Sequence, residues 1–349
     1  MLVGIHFDPL HQFSEYLLKY EKILQFNQID TIRLSSNSSD FWEIVPKLDL
    51  FIFQYGQWDI AKQNAEAILP IIENEYKISC FPDQRTSWAY DNKIKEFYLM
   101  RSNNLPMVQS WVFWEKEAAM EWATSAELPV VFKLSGGAGS KNVILLKTQN
   151  SLIKIIDKMF DKGILDNSRF GRDSLNKKLI EKLIRKMSIS KRKLLNEPIP
   201  FRHLKPNWIR HKDYVYFQKF LPGNQFDTRV VIIGDKAFAF RRMNRKNDFR
   251  SSGSGVNDVS PDKIDLNHVK KAFQVSKTMG FQSMAYDYLY NNMGESVFCE
   301  FSYTFPDKTV STCPGYWDEN LKWHSGSYWP QYLQLKLLLN EDLKQPENL

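Results

Sequence analysis

Apolar and polar positions along the first ninety residues alternate between two periods. Residues 2–7, 30–34, 48–53 and 76–81 are short β-branched or aromatic runs of strand length. Residues 13–24 and 60–72 repeat their apolar positions at helical spacing. Such alternation predicts an α/β domain with a mainly parallel sheet. After Pro82 a polar stretch marks a loop, and Asp91 is placed to cap a helix over 92–101, with Lys93 in its first turn. Residues 128–133 form an apolar run closed by Lys133, a glycine-rich turn follows, and Val143–Leu146 is apolar again, which predicts a hairpin with a backbone tip. Residues 151–200 read as helical. From Tyr214 the pattern turns to strands over 214–220, 228–233 and 237–241, punctuated by Pro222, Gly223 and Asn224 and then by Gly234 and Asp235. A helix over 267–279 stops at Gly280, and strands over 284–290 and 296–301 flank a turn at 291–294.

Composition narrows the class. A chain of 349 residues has room for two or three domains, and 43% hydrophobic with 25% charged residues is globular. No apolar run reaches the ~20 residues of a membrane span. The start, from Met1 to Phe7, lacks a basic flank and reads as a strand, not a signal peptide. Cys80, Cys299 and Cys313 are odd in number and widely spaced, so reduced thiols and a cytoplasmic location are expected. The six histidines show no metal-ligand spacing and predict surface or satisfied core roles. The net charge of +7 is uneven: residues 151–213 hold 17 Lys/Arg against seven Asp/Glu, a local +10. That field suits an anionic partner or a solvated helical face.

The glycine turn carries chemistry. Gly136, Gly137, Gly139 and Ser140 let backbone N–H groups approach phosphate oxygens, and Lys133 supplies a nearby ammonium. It is not a Walker A loop, which needs Gly-Lys-Ser/Thr opening a helix, nor a dinucleotide fingerprint. An ordinary glycine-tipped hairpin gives the same local pattern. Further on stand three arginines, Arg229, Arg242 and Arg250, and two acids on paired strands, Asp287 and Glu300. Unpaired buried carboxylates are costly, and clustered guanidiniums repel unless an anion lies between them. A transferred phosphoryl group or acyl-phosphate is an anion of that kind; a surface arginine ladder is the alternative reading.

The order Lys93, Lys133 with its glycine loop, the strand 216–221, the arginines and the two acids resembles the ATP-grasp superfamily. Within it the chain is similar to the glutathione-synthetase and ribosomal-protein glutamate-ligase (RimK-like) branch, over roughly residues 82–305. The strongest block is 225–242, with Asp227, Arg229 and Arg242, followed by Arg250. The resemblance implies an N-terminal α/β domain (1–88) and an ATP-grasp fold of two α+β subdomains. These would be 89–220, with a basic helical insertion at about 151–213, and 221–349, with an aromatic-rich tail. It further implies that Lys93, Lys133 and the glycine loop (Gly136, Gly137, Gly139, Ser140) reach the ATP phosphates. Gln218, Lys219, Phe220 and Leu221 would present backbone to the adenine edge, Lys219 standing where relatives often carry Glu. Asp227 is the candidate ribose acid. Asp287 and Glu300 would hold Mg²⁺, with Mn²⁺ as an alternative. Ser302 stands where many members have Asn and is a poorer metal ligand.

The implied activity is ATP- and Mg²⁺-dependent carboxylate–amine ligation through an acyl-phosphate, with Arg229, Arg242 and Arg250 as catalytic residues. Residues 313–330 are rich in aromatics, which can stack on sugars. They carry a weaker resemblance to ATP-grasp proteins of bacterial surface-polysaccharide synthesis, which implies amidation of a sugar acid or amino sugar. The alternative is that Trp317, Trp323 and Trp329 only pin the tail to the core. An ATP-grasp kinase acting on a hydroxyl is a second reading. A nucleic-acid or anionic-surface binder ranks last, since residues 151–213 show no recognition helix or aromatic platform. A homo-oligomer is compatible with the sequence.

Overall fold

The N-terminal alternation builds a parallel sheet of β1 (Leu2–His6), β2 (Asp30–Leu34), β3 (Leu50–Ile52) and β4 (Ser79–Phe81), in the order β2-β1-β3-β4. The computed structural model describes residues 1–7, 14–57, 59–137, 142–165, 210–246, 248–339, 342–347 and 349. The crossovers are α1 (Glu15–Phe26), α2 (Phe41–Ile44) and α3 (Asp59–Asn74). Period two divides the buried strands between two cores: Val3, Ile5 and Ile52 face α1, while Phe51 and Phe53 face α3. Helix α1 starts later than the periodicity alone predicts because Ser14 caps it, its Oγ accepting the Leu17 N–H.

The next unit begins with α4 (Gln84–Ser87) and α5 (Lys93–Ser102). Asn92, not Asp91, caps α5 by accepting the Lys95 N–H at 3.1 Å; Asp91 is turned elsewhere. β5 (Ser110–Phe113), α6 (Lys116–Ser125), β6 (Val130–Lys133), β7 (Val143–Leu146) and α7 (Gln149–Asp161) follow. β8 (Ile164–Leu165) pairs with β9 (Arg210–His211), and β10 (Val215–Lys219) runs into the middle of the sheet β5-β10-β6-β7. The predicted hairpin is β6–β7, with Lys133 opposite Val143. Of the stretch expected to be helical over 151–200, residues 151–161 are helical, as most of α7, and the short β8 follows; positions 166–209, with most of the basic cluster, lie outside the described residues.

The large sheet contains β11 (Phe226–Ile233), β12 (Lys236–Met243), β13 (Asn257–Asp258), β14 (Ser283–Tyr290), β15 (Ser296–Ser302), β16 (Gly315–Trp317) and β17 (Trp323–Ser325). Helix α8 (Leu266–Met279) covers the face bearing Val230, Ile232 and Tyr286 and ends at Gly280, whose φ of 68° is left-handed. The other face carries Val231, Ile233, Phe238 and Phe240 beneath α9 (Asp307–Ser311) and α10 (Pro330–Leu339). Helix α10 also reaches the first domain, where Tyr20 donates to the Gln334 side chain at 2.5 Å.

The aromatic tail is built into this core. Trp317 is 5% exposed and meets Trp323 edge-on at 4.5 Å, and Lys19 sits over the Trp329 ring at 4.6 Å. Trp317 and Trp323 pack into the core, and Trp329 is half-buried against Lys19. His268 differs from the sequence expectation: it is buried and stacked on Tyr288, yet among the described residues neither ring nitrogen has a partner. Burial pushes its pKa down to about 4. Among the described residues, no helix is long and apolar enough to cross a membrane.

Candidate active site

Strand register assembles the charged centre. Asp227 lies opposite Arg242, and Arg229 opposite Asp287, across the antiparallel ladders of β11 with β12 and β14. Because period two holds, all four point to the same face of the sheet, the one that further along is apolar. Arg229 donates Nε and Nη2 to the two Asp287 oxygens, each at 2.7 Å. Arg242 does the same to Asp227 at 2.6 Å and adds a bond from Nη2 to Asp287 Oδ2, also 2.6 Å. The result is a charge-balanced chain, Asp227–Arg242–Asp287–Arg229, of two cations and two anions. The anion that the arginine spacing calls for is thus supplied within the sheet, and Arg229 and Arg242 need no phosphoryl group to explain them. Burial alone would raise the Asp287 carboxyl, but the two guanidiniums outweigh it and hold the group at about 2. Asp227 is shifted upward: burial raises it, Arg242 opposes, and Asp287 adds repulsion. Arg250 pairs with its neighbour Asp248, Nη2 to Oδ2 at 2.6 Å.

Glu300 stands opposite Asp287 on β15, beside a register shift in the ladder. Its side chain is 33% exposed to the cleft, and Lys93 Nζ lies 3.4 Å from Oε1. Lys93 is buried and donates to the Gly137 carbonyl at 3.1 Å. Burial would lower its pKa, yet Glu300, Asp91 and Glu96 reverse the sign and keep it charged. Glu96 is buried behind it and shifted upward by burial and by Glu300; its Oε2 accepts the Phe301 N–H at 3.2 Å. Lys133 is held from the other side. Its Nζ donates to Gln218 Oε1 at 2.7 Å and lies 3.7 Å from Cys299 Sγ. The Gln218 amide in turn donates to Ser110 Oγ and Tyr216 Oη, each at 3.2 Å.

After Lys219 the chain leaves the sheet, so Phe220 and Leu221 carry backbone outside the ladder. The Lys219 side chain points to Glu127 at 3.8 Å. Phe249, from the segment that also bears Arg250, meets Phe220 edge-on at 5.5 Å.

These elements enclose a cavity of about 520 Å³, within the usual range for ligand sites. Of the residues singled out by sequence, Lys93, Lys133, Gly137, Gln218, Lys219, Phe220, Leu221, Asp227, Arg229, Arg242, Arg250, Asp287, Glu300 and Ser302 all line it. Gly136 lies just behind the wall, packed on Asp91, and Gly139 and Ser140 lie outside the described residues. Gln57, Tyr90, Asp91 and Cys299 also line the cavity and were not singled out as site residues. Cys299 alternates with Glu300 on β15, a signal that reads as ordinary strand; the capping rule drew Asp91 to the wrong role.

The oxygen donors of the cavity bear on a divalent cation. Among the described residues no group of three or more His, Cys, Asp or Glu could hold a metal ion. Ser302 is drawn into a turn, accepting the Thr304 N–H at 3.2 Å and donating to the Thr304 carbonyl at 2.9 Å. Glu300 has open acceptor capacity, and Asp287 Oδ1 meets one guanidinium bond. Two hard oxygens with several open positions suit Mg²⁺, which commonly takes one or two carboxylates plus phosphate oxygens and water. Lysines on two sides of the cavity suit a polyphosphate.

No family model and no curated protein matches the sequence. Solved structures do match in fold. The RimK-domain ATP-grasp protein of Sphaerobacter thermophilus superposes with a TM-score of 0.52 at 10% identity, over 89% of this chain and 94% of that one. The biotin carboxylase domain of 2-oxoglutarate carboxylase from Hydrogenobacter thermophilus, in complex with MgADP, gives 0.59 at 12%, over 98% and 70%. The macrocyclase MdnC of Microcystis aeruginosa, bound with its precursor peptide, gives 0.55 at 12%, over 98% and 100%. At these identities the likeness is one of fold.

Proposed function

We propose that this chain, whose fold is that of the ATP-grasp proteins, is an ATP- and Mg²⁺-dependent ligase joining a carboxylate to an amine. The observation that carries the reading is the convergence of Lys93, Lys133, Gly137, Asp287, Glu300 and the 218–221 strand end on one cavity. ATP enters with its adenine edge along the backbone of 218–221 and its phosphates between the two lysines. Lys219 turns its side chain away, so lysine in place of a carboxylate costs this contact nothing. Glu300 and Asp287 would hold Mg²⁺, which offsets phosphate charge when bound. Arg229 and Arg242 fix the Asp287 carboxylate in place, and Asp227 fixes Arg242. Arg250 lies on the wall beside Ser251 and Ser252 and is the arginine best placed to meet transferred phosphate. The site supplies alignment and charge neutralisation, which is what phosphoryl transfer to a carboxylate needs. The amine then attacks the acyl-phosphate and inorganic phosphate leaves. The MgADP complex of one neighbour supports Mg²⁺, and the peptide-bound macrocyclase adds peptides to the small-molecule and saccharide acids as substrate classes to test.

Hydroxylamine trapping tests the chemistry. With ATP, Mg²⁺ and pooled carboxylates, the protein should release ADP and form a hydroxamate. ADP release dependent on a hydroxyl acceptor, with no hydroxamate, would make it a kinase.

A further inference from the structure

Asp91 does not serve helix α5. It sits two residues before that helix with a left-handed φ of 49°, a conformation uncommon for a non-glycine residue and one that marks imposed geometry. Its Oδ1 accepts the Gly137 N–H at 2.9 Å, and its Oδ2 lies 3.0 Å from Lys62 Nζ. Lys62 belongs to α3 of the N-terminal domain and also meets Asp59 at 3.1 Å. Lys93, two residues on, completes the grip: its backbone N–H donates to Ser135 O at 2.8 Å and its ammonium to Gly137 O at 3.1 Å. Gly136 is pressed onto the same pair. A Cβ there would come within 3.2 Å of Asp91 Oδ2 and 3.4 Å of Lys62 Nζ. The root of the glycine loop is therefore held by a carboxylate whose own partner comes from another domain.

We propose that Asp91, oriented by Lys62, is a positioning residue that sets the root of the glycine loop, so that nucleotide affinity depends on a contact delivered by the N-terminal domain. The inference rests on the reading of the cavity as a nucleotide site. Three features separate it from mere packing. The bond is to the backbone of a loop residue that lines the cavity. The strained backbone places the carboxylate there in preference to a cap. Lys62 itself does not line the cavity and reaches the loop root where it meets Asp91 and Gly136, so its effect on nucleotide binding is indirect.

The test is calorimetry of the full-length chain with a non-hydrolysable ATP analogue and Mg²⁺, at a temperature where every variant is folded. Asp91→Ala should weaken binding about tenfold or more, since a charged hydrogen bond is lost. Asp91→Asn keeps an acceptor toward Gly137 and should recover part of the loss. Lys62→Met should weaken binding several-fold, and the double variant Lys62→Met with Asp91→Asn should lose less than the product of the single losses, the signature of coupled residues. A purely structural role would lower melting temperature without this pattern in affinity. Wild-type affinity in both Asp91→Ala and Lys62→Met overturns the inference while leaving the nucleotide reading intact. No binding by the wild-type chain overturns the nucleotide reading, and the inference with it.

Discussion

Arg242 holds the balance of charge on the large sheet. It touches both buried carboxylates, whereas Arg229 touches one. Arg242→Ala would strip Asp227 of its guanidinium partner and leave Asp287 with Arg229 alone. The expected loss of stability is about 3–5 kcal/mol, the usual cost of breaking a buried ion pair from one side. Arg229→Ala should cost less, because Asp287 keeps Arg242. Urea denaturation of the two variants checks the order, and equal losses would count against the shared role of Arg242. The residue types of this chain of charges were legible in the sequence as a suspicious cluster. Their pairing was not, because it depends on the register of β11 against β12 and β14, which neither composition nor spacing contains. The neutralising anions are Asp227 and Asp287, each on the strand adjacent to its arginine and not in a ligand. Asp91 was misread for a similar reason: the rule for helix caps is local, and its partner Gly137 is 46 residues distant.

At the level of elements, strong period signals survived and weak ones did not. The hairpin β6–β7, the helix ending at Gly280 and the paired strands bearing Asp287 and Glu300 stand close to where alternation and turn residues put them. Strand β11 starts at Phe226, two residues before the expected start at Thr228, because Asp227 and Arg229 are charged yet inward-facing. β5, α6 and the β16–β17 hairpin were not read at all. β5 (Ser110–Phe113), β16 (Gly315–Trp317) and β17 (Trp323–Ser325) are short and lack the longer apolar run that flanks or fills β3, β4, β6 and β7. The tail also decides between two uses of its tryptophans. Trp317 fills the core beside Trp323, so Trp317→Ala should cost about 3–5 kcal/mol of stability, as large-to-small core changes do. Thermal or chemical denaturation measures it. A variant of unchanged stability that had lost affinity for a saccharide would restore the sugar-stacking role.

On the scale of the whole molecule, three units meet at one cleft. The segment around the N-terminal sheet brings Gln57 to the cavity and Lys62 close behind it, the middle sheet brings Lys133 and Gln218, and the large sheet brings Asp287 and Glu300. The order of these parts along the chain was legible, since charged and glycine-rich motifs keep their sequence whatever the fold does. Their convergence was implied only by resemblance, and the couplings between units, such as Lys62 with Asp91 or Tyr20 with Gln334, had no sequence signal. The central claim is that this cleft binds ATP phosphates between the two lysines. The direct measurement is titration of the wild-type chain and of Lys133→Ala with a non-hydrolysable ATP analogue, with and without Mg²⁺. The account predicts Mg²⁺-dependent binding by the wild type and a loss of at least about tenfold, or ~1.4 kcal/mol, in the variant. Equal affinity of variant and wild type, or binding indifferent to Mg²⁺, would contradict it.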